Sequence, residues 1–152
     1  MGARAGLERP PAGRPVPGAI QAGSGDFRID FAFPEPDPPP LTTIAWRMGH
    51  LIVGVFGVRA ASHFGGPPTS YEEHAYAGTA VEGLRQLDRA YAAWTGGVEA
   101  LDEAGLARPC GPTEGPYAEF PMADLVLHIQ REAIHHGAEI LLLRDLYRNL
   151  HG

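Results

Sequence analysis

The segment "TTIAWRMGHLIVGVFGVRAASH", residues 42–63, constrains the fold more than any other. It reads as a helix that is apolar over most of its circumference and stops at "GGPP". Such a helix cannot rest on a surface with one side in water; other elements must cover it. Its longest apolar run, "LIVGVFGV", is far too short to cross a bilayer, so the cover must be protein.

Two further segments supply that cover. Thr79 with Glu82 has capping-box spacing, and Leu84, Leu87, Tyr91, Trp94, Val98 and Leu101 follow at three- and four-residue steps as one core-facing stripe. Ser70 with Glu73 repeats the box ahead of a short helical turn. After the break "ARPCGPTEGPYAEF", Pro121 suits the first turn of a last helix running to about Leu150. Leu125, Ile129, Ile140, Leu143 and Tyr147 are in register along it. The expected fold class is all-α, an up-and-down bundle of long antiparallel helices over residues 41–152.

Residues 1–40 are a Pro/Gly-rich irregular arm ending in "PEPDPPP", which cannot be helix interior. Within it "DFRIDFAF" alternates like a short strand, with no partner strand evident. The formal net charge of -6 and the lack of a basic cluster argue against nucleic acid or anionic membrane as partners. A single cysteine, Cys110, excludes an intramolecular disulfide framework and suits a reducing compartment. With no secretory signal at the start, a cytoplasmic location is expected.

The last helix carries the chemistry. Residues four apart are separated by about 40° around a helix axis, so Glu132 and His136 share a face. Extending that stripe gives Leu125, Ile129, Glu132, His136, Ile140 and Leu143. A polar pair in the middle of a core-facing row must be neutral, hydrogen-bonded or bound to a cation. His135, turned by about 100°, should point to a flank or to solvent.

Glu and His so placed match two ligands of a catalytic metal site, which needs a third protein ligand and an open position. His50 is the candidate, being the histidine outside the last helix that lies in an apolar helical run. Gly54 and Gly57, with Gly137 opposite, would let the two helices approach closely. The remaining polar residues have plainer readings. His63 and His74 are expected in the connection and His128 on a flank. Cys110 reads as a loop thiol, and Trp46 and Trp94 as core. Arg47 is expected in an exposed salt bridge, with an anionic ligand at the pocket mouth as the alternative.

"IAWRMGHL" followed by "IHHGAEILLLRDLY" resembles the DinB-like superfamily of metal-binding four-helix bundles. It is most similar to the branch found in high-GC actinobacteria, which includes the mycothiol-dependent maleylpyruvate isomerases. The resemblance covers roughly residues 40 to 150 and implies His50, Glu132 and His136 as metal ligands. It also implies that the bundle's usual first helix is missing or truncated here, with a start codon placed too late as one explanation. Apolar surface would then be left on the other three helices, for the arm or a partner chain to cover.

The function implied is a divalent-metal-dependent thiol S-transferase or thiol-assisted isomerase using mycothiol, because a metal-bound thiol loses its proton and becomes a nucleophile at neutral pH. The alternatives are a hydrolase working through metal-bound water and a non-catalytic metal-binding or stress-linked bundle. Zn²⁺ is the leading ion, with Ni²⁺, Fe²⁺ or Mn²⁺ as alternatives. Arg47, His135 and Glu139 are candidates for outer or substrate contacts. Expected partners are a small thiol and its electrophile, with a second copy of the chain as a further candidate.

Overall fold

The computed structural model describes residues 19–32, 34, 36–37 and 42–151. The expectation of a missing first helix, and that for most of "PEPDPPP", lie outside the described residues.

The apolar segment is one continuous rod. Helix α1 (Ile44–His50) starts at Thr43, whose hydroxyl accepts the Trp46 N–H at 3.1 Å. It passes without interruption through a π-helical stretch, Leu51–Gly57, into α2 (Val58–Phe64). In that stretch the Val58 N–H bonds to the carbonyl of Val53, five residues back rather than four. Gly57 fits because a Cβ there would stand 2.6 Å from the Ile52 carbonyl oxygen. The rod ends where Gly65 takes a left-handed conformation and the Gly66 N–H returns to the Ala60 carbonyl at 3.1 Å.

Leu51 through Phe56 are all buried, as an all-round apolar helix requires. The rod packs against both α3 (Ala80–Glu99) and α5 (Met122–His151). Between α3 and α5 lie a short helix α4 (Glu103–Ala107), capped by Asp102, and a 3-10 segment, Pro112–Tyr117. Leu51, Val55 and Phe56 of the rod meet Trp94 of α3, Met122, Leu125 and Ile129 of α5, and the Cys110 side chain. Cys110 is thus a loop residue with a core side chain. Burial holds its thiol pKa up, against the reactive thiolate. No helix among the described residues is long and apolar enough to cross a membrane.

The helical stripes needed correction at their edges. Thr79 caps α3 as expected, accepting the Glu82 N–H at 3.3 Å. Leu87, Trp94, Val98 and Leu101 join the core, but Leu84 is exposed, and Tyr91 is exposed at the core's rim, its ring edge to face with Phe56 at 5.4 Å. On α5, Leu125, Ile129, Ile140 and Leu143 turn inward, whereas Tyr147 is exposed. From Arg144 to Leu150 every side chain is exposed, so α5 runs on past the surface that the rod offers. Leu127, Ile134 and Leu141, seven residues apart on its outer side, are exposed as well.

Two other expectations change. "DFRIDFAF" does have a partner strand: β2 (Ile29–Phe31) pairs antiparallel with β1 (Ile20–Ala22), Gln21 opposite Asp30. A three-residue strand is too short to show alternation. Trp46, expected as core, is half-buried and donates its indole N–H to the Asp30 carbonyl at 2.6 Å, so the hairpin rests on α1. Gly54 and Gly57 do not serve the approach of the rod to α5: they make room for Tyr71 and Thr69 of the connection, and among the described residues nothing stands within 4 Å of where a Cβ on Gly137 would be.

Candidate metal centre

His50 closes α1 directly before the π-helical stretch, and Glu132 and His136 project from α5 towards it. Each offers a ligand atom, and the three atoms lie within 4.8 Å of one another. The two imidazoles meet edge to face, with centroids 4.6 Å apart. His136 Nε2 stands 3.4 Å from a Glu132 oxygen, and the His136 side chain is buried.

What His136 does with its other nitrogen decides the chemistry. Nδ1 lies 2.7 Å from Glu139. Burial works against ionising that carboxyl, but the hydrogen bond from His136 and the Arg47 charge outweigh it and hold its pKa low. An ionised carboxylate only accepts, so Nδ1 carries the proton. Nε2 is then the nitrogen left to face a second carboxylate. Burial opposes ionisation of Glu132 too, but Arg131, His128 and His136 keep its pKa below the ordinary carboxylate range. A ring nitrogen and a carboxylate oxygen 3.4 Å apart are held together by a positive charge between them, either a proton or a metal ion.

His50 is the third donor. Burial first, then the neighbouring His136, lowers its pKa to about 4. At neutral pH it is therefore an uncharged imidazole, the form that binds a metal. Its Nδ1 lies 2.6 Å from the hydroxyl of Tyr71, and the Trp46 ring stacks on it at 5.4 Å. The chemistry of the donor set fits a divalent ion.

Arg47, an outer-contact candidate, pairs with Glu139 at 3.1 Å and is mostly buried, not in the exposed bridge expected. His135 is exposed and stacks on His136, its Nε2 3.4 Å from Glu139. His135, His136 and Glu139 form a second group of close donors. It lies on one helix with an exposed member, and the 2.7 Å His136–Glu139 hydrogen bond already occupies two of its atoms. His128 is exposed on the flank, 3.8 Å from Glu132.

Two features escaped the sequence reading. His63, expected as a loop residue, ends α2 with a buried side chain that bonds Glu114 at 2.9 Å; Arg59 joins the same carboxylate at 3.3 Å. Capping-box spacing in "SYEE" drew attention to Ser70 and Glu73, but nothing in a non-periodic connection singles out Tyr71. A cavity of about 900 Å³ lies between the Pro112–Tyr117 segment and α5, and none of His50, Glu132 and His136 lines it. Its lining includes Arg59, Glu114, Tyr117, Phe120, His128 and Arg131, the last two of which touch Glu132.

The family model of the DinB superfamily matches residues 6–140. The chain belongs to the DinB superfamily. Comparison with curated proteins and with solved structures gives no match. DinB-superfamily membership accords with the helical fold and with a group of histidine and glutamate donors converging at its centre.

Proposed function

We propose that this DinB-superfamily protein is a divalent-metal-dependent thiol transferase, with His50, Glu132 and His136 as the metal ligands. The observation that carries the reading is the convergence of one ligand atom each from His50, Glu132 and His136 within 4.8 Å of one another, with His136 Nε2 3.4 Å from the Glu132 carboxylate. Three protein donors are the usual complement of a catalytic site, since they leave a position for substrate. A divalent ion there would lower the pKa of a thiol or water bound beside it. Zn²⁺ suits the donors best, and Ni²⁺, Fe²⁺ or Mn²⁺ are the alternatives.

The chain's own side chains have separate tasks in this reading. Glu139 holds His136 in the Nδ1–H tautomer, and Arg47 keeps Glu139 ionised. The cavity reached through His128 and Arg131, which touch Glu132, would admit the thiol and its electrophile, with Tyr117 and Phe120 supplying apolar surface. Mycothiol is the thiol we infer, from the likeness of the two motifs to the mycothiol-using branch. S-transfer or thiol-assisted isomerisation is the reaction class.

Metal analysis of the purified protein, coupled to a conjugation screen with mycothiol and an alkylating fluorophore, tests this. About one equivalent of metal and conjugation lost in His136→Ala with the helical fold retained are expected. A protein that takes up no stoichiometric Zn²⁺, Ni²⁺ or Mn²⁺ overturns it. Ester hydrolysis without thiol consumption would reassign the same ligands to a hydrolase.

A further inference from the structure

A histidine that binds a metal through one nitrogen needs an acceptor for the N–H of the other, which fixes its tautomer and orientation. Glu139 meets that need for His136. Among the described residues no carboxylate does so for His50; its Nδ1 instead meets the Tyr71 hydroxyl at 2.6 Å, from a connection 21 residues further on. A tyrosine hydroxyl both donates and accepts, so the contact can run in either direction. If it donates to Nδ1, the lone pair there is consumed and Nε2 carries the proton. If it accepts from Nδ1–H, Nε2 is left bare.

The surroundings are built to keep the phenol there. Gly54 lies one helical turn after His50, and a Cβ on it would come 2.1 Å from the Tyr71 Oη and 3.0 Å from Cζ. Phe31 of β2 stacks on the Tyr71 ring at 4.5 Å. Tyr76 donates its hydroxyl to the Tyr71 carbonyl at 3.0 Å. Ser24 of the hairpin turn ties to the same connection through the Glu73 and His74 carbonyls. On the other ring, Trp46 stacks over His50, so that imidazole is held by face and by edge.

We propose that Tyr71 is the positioning residue of His50: its phenol oxygen accepts the Nδ1–H and so presents Nε2 as the metal-binding lone pair. The N-terminal hairpin, through Phe31, thereby supports the metal centre from outside the helices. This inference rests on the metal reading of His50, Glu132 and His136.

Co²⁺ titration, read through its visible absorption, tests the inference on Tyr71→Phe, Gly54→Ala and the double variant, with His50→Ala as reference. Tyr71→Phe keeps the ring that stacks on Phe31. It is expected to retain the fold by circular dichroism, to lose about 10- to 100-fold in Co²⁺ affinity and to shift the absorption band. Gly54→Ala displaces the hydroxyl and is expected to give the same loss, with the double variant no weaker than either single one. Wild-type affinity and an unchanged band in Tyr71→Phe, or losses that add in the double variant, overturn the proposal. If His50→Ala also binds Co²⁺ as the wild type does, it is the metal reading that fails. Independently of folding in the variants, imidazole ¹⁵N NMR of the unmodified Zn²⁺-loaded protein should show His50 protonated at Nδ1 and coordinated at Nε2; coordination at Nδ1 overturns the assignment.

Discussion

Two histidine–carboxylate clusters flank the π-helical stretch of the central rod, and they differ in one respect that matters. At its start, His50, Glu132 and His136 converge with a glutamate and a phenol behind the imidazoles. Beyond its end, His63 and Arg59 of α2 close on Glu114. Both contain buried imidazoles near carboxylates, and each has an arginine. In the second, one carboxylate is shared by two donors, so it is satisfied internally and acts as a polar clamp between α2 and the 3-10 segment. In the first, the outer partners take up the Nδ1 side of each ring and leave other donor atoms facing one another. A histidine next to a glutamate is therefore no sign of a site; what counts is where the remaining lone pairs point.

That contrast can be broken at several places. The largest effect is expected from His136→Ala, which should reduce Zn²⁺ affinity by more than the roughly 100-fold upper end for outer-contact changes, measured by competition with a chromophoric chelator. Next is the acid response of the metal-free protein. His50 is depressed from 6.5 to about 4 in the folded chain, so the unfolded state binds the extra proton between those values. Its contribution should be intact above about pH 6.5 and should fall by up to ~3 kcal/mol as the pH drops towards 4. Glu132 and Glu139, with lowered pKa values, add loss in the same direction once the pH falls below the ordinary carboxylate range. Urea midpoints from pH 7.5 to 4.5 measure this slope, and His50→Leu should flatten it.

Smaller effects sharpen the difference. Glu114→Ala leaves His63 and Arg59 without their shared acceptor and should cost about 2 kcal/mol of stability while Zn²⁺ affinity stays within twofold. A drop in affinity instead would merge the two clusters into one functional unit. The smallest change is expected for His135→Ala. Its ring is exposed and carries only a 3.4 Å contact to Glu139, so stability should move by less than ~0.5 kcal/mol.

The helical core and the convergence of His50, Glu132 and His136 were legible because both depend on the 3.6-residue repeat. A polar pair that interrupts an apolar stripe announces itself, and a histidine in an apolar run has few places to go. Tyr71 and the His63–Glu114 pair were not legible, because each joins a helix to an aperiodic connection. Leu84 shows the opposite limit: periodicity tells which residues share a face, not how deeply another element covers each of them. Nor can "LIVGVFGV" reveal that it is π-helical, since a wholly apolar run looks the same with either repeat.

The π-helical stretch also has a meaning for how such a chain can change over time. Its wider turns accommodate residues that a plain α-helix of equal length would not hold. A π-helical turn holds one residue more than the α-helical turn it replaces, so removing one residue within Leu51–Gly57 would let the stretch close as α-helix and leave His50 and Phe64 nearly in their present relation. Removing one residue from α1 or α2 instead would turn the parts on either side by about 100° against each other. A one-residue change of length is thus absorbed inside the stretch and re-aims half of the rod outside it.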